Sequence, residues 1–192
     1  MPTTPTIDVL IVGAGPTGTA LAIDLARRGL SFRLIDKEPT AFGGSRAKGI
    51  QPRTLEVFDD LGVLLDVLNR GGPYPKMGIH LGPLTIPWRM IEKGNPGPDV
   101  PHPDTLLIPQ NSTIRVLHER LGTFGAQVEL GTELIEFATD ATGITAQLST
   151  SRGAEELTAR YIVGADGGSS RVRKMAGIKF DGITDEADRM RI

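Results

Sequence analysis

Residues 7–18 read Ile7-Asp8-Val9-Leu10-Ile11-Val12-Gly13-Ala14-Gly15-Pro16-Thr17-Gly18, and an amphipathic segment then leads to Ser31-Phe32-Arg33-Leu34-Ile35-Asp36. The order is strand, glycine turn, helix, strand, acid. The apolar run predicts a short strand, and Leu21 and Leu25 at helical spacing predict a helix over residues 16–28 that Gly29 stops. Within the turn, Gly13, Gly15 and Gly18 spell GxGxxG. In such a unit the first glycine makes a tight turn, the second lets main chain approach a pyrophosphate, and the third lets helix pack closely on strand. Pro16 suits the first helical position because its missing N–H would have had no partner there. Thr17 and Gly18 then sit in the first turn, where free N–H groups and the helix dipole attract phosphate. Asp36, about 20 residues beyond the glycines, is placed to accept from ribose hydroxyls. A carboxylate there favours a free ribose over a 2′-phosphate, so FAD or NAD is expected rather than NADP.

Composition narrows the function classes. With 39% hydrophobic residues among 192, the chain suffices for one well-buried domain and is short for two. Its 21 basic and 23 acidic side chains give a formal net charge of −2, which provides no long-range pull towards nucleic acid or anionic membrane. The absence of cysteine excludes disulfides, thiolate metal sites and a cysteine nucleophile. The opening Met1-Pro2-Thr3-Thr4-Pro5-Thr6 has no basic segment, and the apolar run after it is too short to cross a bilayer. A soluble, cytoplasmic protein is expected. His80, His102 and His118 lack the spacing of a metal site and are read as surface or hydrogen-bonded histidines.

Downstream of Asp36, residues 37–49 form a polar loop containing Gly43-Gly44-Ser45-Arg46-Ala47. Helices are predicted over 52–61 and 63–68. Between Pro73 and Pro109 the chain carries nine prolines, and its alternating pieces 77–81 and 84–88 suggest a hairpin. This is read as an excursion from the nucleotide unit, with Met77, Trp88 and Met90 packed as local core. A helix over about 112–124 returns the chain to the sheet. Strand 127–130, a three-stranded meander over 134–138, 144–148 and 156–159, and one more buried strand over 161–165 follow. That last strand runs into Asp166-Gly167-Gly168-Ser169-Ser170-Arg171-Val172-Arg173-Lys174, a second glycine turn opening a helix. Asp166 there can hold a ligand hydroxyl or cap N–H groups, and the basic residues can meet phosphate or stay solvated.

Together the motifs resemble those of the flavoprotein aromatic hydroxylases, the single-component FAD-dependent monooxygenases of the para-hydroxybenzoate hydroxylase type. The resemblance rests on Gly13, Gly15, Gly18, Asp36, the Ser45-Arg46-Ala47 loop, Pro109-Gln110, and Asp166-Gly167 with Ser170, Val172 and Arg173. It implies an α/β fold: a Rossmann-like FAD-binding domain with a mostly parallel sheet, a three-stranded antiparallel meander and part of a substrate-side region. Residues 1–72 and 110–192 would form the FAD-binding domain, and 73–109 the excursion. By position, Gly13, Gly15 and Gly18 with Pro16 and Thr17 would seat the pyrophosphate. Asp36 and Lys37 would hold the adenosine end, and Arg46 and Gln110 would reach the phosphate and ribityl region. The main chain of Val128 would meet adenine, and Asp166 would serve FAD directly or through water. Gln110 as a capping residue and Arg46 as a loop ion pair are the structural alternatives.

The implied activity is hydroxylation of a small aromatic or phenolic molecule with oxygen, NADH or NADPH being a transient reductant. A non-catalytic nucleotide-binding remnant and an NAD-dependent dehydrogenase are the competing classes. The Asp166 motif and the meander disfavour the dehydrogenase. Two departures from the family stand out. Ile114 replaces a common glutamate, and nothing after Arg173 matches the later glycine-aspartate motif. The chain is therefore expected to be an amino-terminal part whose activity depends on further sequence. Bare strand edges on such a part lead to an expectation of self-association or a partner chain.

Overall fold

The apolar run forms β1 (Ile7–Val12), and its alternation serves two cores. Val9 and Ile11 join one buried cluster. Leu10 and Val12 join the other. A strand buried on both faces needs this continuous apolar run and must lie inside the sheet. The structure is a computed structural model that describes residues 7–41, 43–44, 49–89, 91 and 93–182.

From β1 the chain enters α1 (Pro16–Arg27) and returns as β2 (Phe32–Asp36), parallel to β1 with Val12 opposite Ile35. Next come β3 (Gly49–Ile50), α2 (Pro52–Asp60), α3 (Leu64–Arg70) and β4 (Gly72–Pro73). The hairpin β5 (Met77–Leu81) and β6 (Leu84–Trp88) follows, then β7 (Leu106–Leu107) and α4 (Gln110–Gly122). Strand β8 (Val128–Leu130) adds to the free side of β2, placing Leu130 opposite Asp36. The meander is β9 (Glu133–Thr139), β10 (Ile144–Thr150) and β11 (Gly153–Gly164), after which α5 (Arg171–Met175) ends the described elements. The main sheet runs β8-β2-β1-β11-β10-β9.

All four longer helices lie on one face of the parallel strands. Ile23 of α1, Phe58 of α2, Val67 of α3, and Leu117 and Leu121 of α4 meet Val9, Ile11 and Leu34 in one cluster. Full burial of each such side chain contributes about 1.5–3 kcal/mol. The meander folds over the other face, where Leu134, Leu148 and Leu157 pack with Leu10 and Ile35. Arg33 of β2 ties these layers together, bonding Glu129 of β8 at 2.7 and 2.6 Å and Glu155 of β11 at 2.5 Å.

Three expectations change. The two strands predicted over 156–159 and 161–165 are one, β11, which changes partner midway. Ala159 pairs with Ile144 of β10 on one side and with Ile7 of β1 on the other, so the strand is antiparallel to β10 first and parallel to β1 afterwards. The second half is not uniformly buried either. Tyr161 is 65% exposed, although it pairs with the buried Val9 of β1. Third, Met77 and Trp88 are exposed and are not core. The β5–β6 pairing stacks Met77 with Trp88, Ile79 with Ile86, and Leu81 with Leu84, one apolar face of a two-stranded ribbon left uncovered by the described residues. Met90 lies outside the described residues.

The excursion is anchored where it starts and finishes. Strands β4 and β3 both pair with β7, so the chain leaves and returns through one small sheet. The returning helix starts at Gln110, two residues ahead of its expected beginning, with Pro109 as the N-cap residue.

Candidate dinucleotide site

Both glycine motifs arrive at the same place, the carboxyl ends of the parallel strands. Ala165 follows β11 and donates its N–H to Val12 O at 2.7 Å, bringing Ala165 and Asp166 beside Gly13. Gly13 has φ +104°, and a Cβ there would lie 2.5 Å from Ala165 O and 2.8 Å from Asp166 N. Gly18, on the first turn of α1, faces the carbonyl of Gly13 and the methyl of Ala165, and a Cβ there would overlap Gly13 O. Gly15 differs from both. Its φ is an ordinary −69°, and a Cβ would meet nothing within 4 Å. The outer glycines are thus required by packing, while the middle one faces open space at the amino end of a 12-residue helix that has no side-chain cap. In a parallel sheet whose central strand has neighbours reached in opposite directions, the crevice beyond the carboxyl ends is where a ligand binds.

Asp36 ends β2, and its carboxylate is engaged by main chain on both oxygens. Its Oδ2 accepts from Ala14 N at 2.8 Å, and its Oδ1 accepts from Glu38 N at 3.0 Å. The carboxylate therefore fixes the glycine turn and the start of the next loop. Lys37 is exposed beside it, and Thr17 is exposed on the first turn of α1. Val128 lies opposite Leu34, two residues short of the level of Asp36, on the outermost strand of the sheet. Gln110 is the first residue of α4, so it is not the residue that caps it. Arg46 lies outside the described residues.

Asp166 acts as a helix cap. Its Oδ1 accepts from Ser170 Oγ at 2.5 Å, and its Oδ2 accepts from the N–H groups of Arg171 at 2.6 Å and Val172 at 3.2 Å. Ser170 Oγ in turn accepts from Arg173 N at 3.0 Å. Burial works to raise the carboxyl's pKa, but the bonds from Ser170, Val172 and Arg171 outweigh it and hold the group below its ordinary value. A lowered folded pKa means that the stabilisation is present above the unfolded value and is lost as pH falls through the folded one. Asp166→Asn should therefore melt below the parent at neutral pH, the gap closing below about pH 4. Melts at pH 7 and pH 3 check this, and a gap of constant size would count against the ionised cap. Arg171 also bonds Glu133 and Leu134 O, joining α5 to the meander.

Two more residues complete the turn: Thr19, unremarked in the sequence, and His118, read there only as a surface or hydrogen-bonded histidine. Thr19 is fully buried and donates from Oγ1 to Ala14 O at 3.2 Å, and His118 of α4 brings Nε2 within 3.3 Å of the same oxygen. Next to them, a cavity of about 240 Å³ opens between α4 and the loop after β2, lined by Ala41, Gly43, Asn111, Ile114, Arg115, His118 and Glu119. Asn111 donates to Gly43 O at 3.3 Å, but its buried Oδ1 lacks a partner among the described residues. A larger cleft, about 560 Å³, lies at the opposite ends of β1 and β2 around Ile7, Leu30 and Gln127, away from both motifs.

The sequence matches the FAD binding domain family over residues 6–191. The chain belongs to that family. It is 43% identical over 186 residues to a flavin-dependent monooxygenase of Mycobacteroides abscessus, covering 94% of this chain and 39% of the relative. Against pentachlorophenol 4-monooxygenase of Sphingobium chlorophenolicum the identity is 34%, covering 91% of this chain and 32% of the relative. Among solved structures, p-nitrophenol 4-monooxygenase PnpA of Pseudomonas putida superposes with a TM-score of 0.80 at 26% identity, over 94% of this chain and 46% of that one. The flavin-dependent monooxygenase PieE, solved in complex with FAD and substrate, gives 0.79 at 26% identity, over 93% and 33%. The chain thus spans about a third of the length of the curated relatives it matches. The turn fits an ADP moiety on its own geometry: an open Gly15, an uncapped helix start, and a carboxylate at the end of the second strand. Among the described residues no helix is long and apolar enough to cross a membrane, and no cluster of His, Asp or Glu could hold a metal ion.

Proposed function

We propose that this chain is the FAD-holding part of a monooxygenase that hydroxylates a small aromatic or phenolic molecule with oxygen and NADH or NADPH. The open approach to Gly15 between two glycines that packing requires carries this reading. Gly15 and the first turn of α1 would hold the diphosphate, Asp36 and Lys37 the ribose, and the main chain of β8 near Val128 the adenine. Gln110 and Arg46 would act on the ribityl side, with Asp166 bracing the second turn against Gly13. When bound, FAD supplies the redox chemistry, taking reducing equivalents from the nicotinamide and delivering one oxygen atom to the ring. The chain's own residues orient it.

The uncovered apolar face of the β5–β6 hairpin, with Leu81 59% and Leu84 58% exposed, supports a substrate-side role and contact with further protein, either a second copy or another chain. A cytoplasmic setting fits the need for reduced nicotinamide. Size-exclusion chromatography recorded at the flavin absorption band tests these points in one run. Coelution of FAD with a species larger than one chain supports both. A colourless protein that takes up no added FAD sinks the cofactor reading, and a well-behaved monomer sinks self-association. If yellow protein consumes no reduced nicotinamide on addition of a phenol, the chain only holds nucleotide.

A further inference from the structure

Ala14 is gripped from three directions. Its N–H is fixed by Asp36 at the end of β2, and its carbonyl is approached by Thr19 from α1 and by His118 from α4. The acceptor is a carbonyl, so the imidazole must contribute an Nε2–H. Burial lowers the pKa of His118, against the upward pull of the Ala14 carbonyl and the Asp36 charge, and favours a neutral ring. A neutral ring with Nε2–H leaves Nδ1 as an acceptor, and His118 lines the cavity beside the turn.

The consequence lies on the far side of the same peptide unit. No described peptide bond is cis, and in a trans unit C=O and N–H point in opposite directions. Turning Ala14 O towards α1 and α4 therefore turns the N–H of Gly15 away from them. Gly15 is the residue with open space around it. A main-chain N–H has no rotamer of its own, so its aim is set by whatever holds the carbonyl of the same unit.

We infer that His118 is a positioning residue, which donates from Nε2 to Ala14 O and so aims the N–H of Gly15 at the cofactor diphosphate. The inference rests on the FAD reading above and extends it to a residue on α4, 104 positions from the turn it controls. Thr19 holds the same oxygen, so losing His118 should loosen the peptide plane without unfolding the turn.

Imidazole ¹⁵N shifts of the ligand-free chain read the tautomer directly. Nε2–H is expected, and Nδ1–H would overturn the inference whatever the chain binds. Titration with FAD and with ADP then compares the parent, His118→Leu and His118→Gln. His118→Leu should weaken both ligands about five- to tenfold, the scale of one hydrogen bond. His118→Gln keeps a side-chain N–H and should stay within about twofold of the parent. Adenosine, which has no diphosphate, should bind the parent and His118→Leu alike. Equal losses for adenosine, unchanged FAD binding in His118→Leu, or failure of glutamine to rescue would each overturn the positioning role. If the parent shows the Nε2–H tautomer but binds neither FAD nor ADP, the cofactor reading fails and the diphosphate role falls with it, a result distinct from the wrong tautomer. Should His118→Leu fold poorly, the tautomer and the glutamine variant still decide.

Discussion

Gly18→Ala should lower the melting temperature by roughly 6–12 °C and abolish FAD retention, whereas Gly15→Val should leave the melting temperature of the ligand-free chain within about 1 °C of the parent and cost at least about 100-fold in FAD affinity. The two glycines stand three residues apart and do opposite work. A methyl on Gly18 would overlap the Gly13 carbonyl and press on Ala165, both attached to strands, so α1 must lift from β1 or the turn must deform. Overpacking against main chain costs about 3 kcal/mol, and a chain of this size loses roughly 2–4 °C per kcal/mol. The lifted helix also carries its free N–H groups away from the site. At Gly15 the backbone is ordinary and a Cβ would meet nothing within 4 Å, so the folded chain has room there for a side chain. Under the proposed function, what a valine there would exclude is the phosphate, and a 100-fold loss is about 2.7 kcal/mol of binding. Thermal melts and FAD titration on the two variants separate these effects. Equal behaviour of both would mean that Gly15 is not the point of ligand approach.

The turn was legible because its signals are local. Apolar run, glycines, proline and acid all fall within residues 7–36, and their spacing constrains the local geometry. The meander and the hairpin were legible from alternation and from turns such as Asp140–Gly143, where Asp140 Oδ1 accepts from Thr142 N at 2.7 Å. Contacts closed by distant chain were not. Arg33 finds Glu129 and Glu155 at separations of 96 and 122 residues, and no periodicity within β2 points to either. His118 was readable as a surface or hydrogen-bonded histidine, but its partner was not, because only the packing of α4 beside α1 brings it to Ala14. Arg160 interrupted the apolar run and made β11 look like two strands. In the folded chain its exposed guanidinium reaches Asp8 at 3.4 Å, at the point where the strand exchanges β10 for β1. The hairpin misled in the other direction. Alternation marks which face is apolar and says nothing about whether anything covers it.

Asp36→Ala is expected to weaken both the fold and the FAD complex, because the carboxylate holds main chain and, under the proposed function, would also hold the ribose. Its two oxygens accept from Ala14 N and Glu38 N, and hydrogen bonds to a charged group contribute about 1.5–3 kcal/mol each. The Glu38 bond is exposed and water replaces it readily, so a net loss of about 2 kcal/mol and a fall of roughly 4–8 °C in melting temperature are expected. A carboxylate has about four lone-pair positions, so two main-chain donors leave room for ribose hydroxyls. Removing both functions should cost FAD at least about 100-fold in affinity. Asp36→Asn separates them, since its one carbonyl oxygen can still accept from Ala14 N while its amide cannot accept from Glu38 N. If the asparagine variant melts near the parent but binds FAD as weakly as the alanine variant, the ligand role stands apart from the structural one. Should it instead retain FAD in proportion to its stability, Asp36 would be a bracket for the turn, and the ribose would have to be held by other groups.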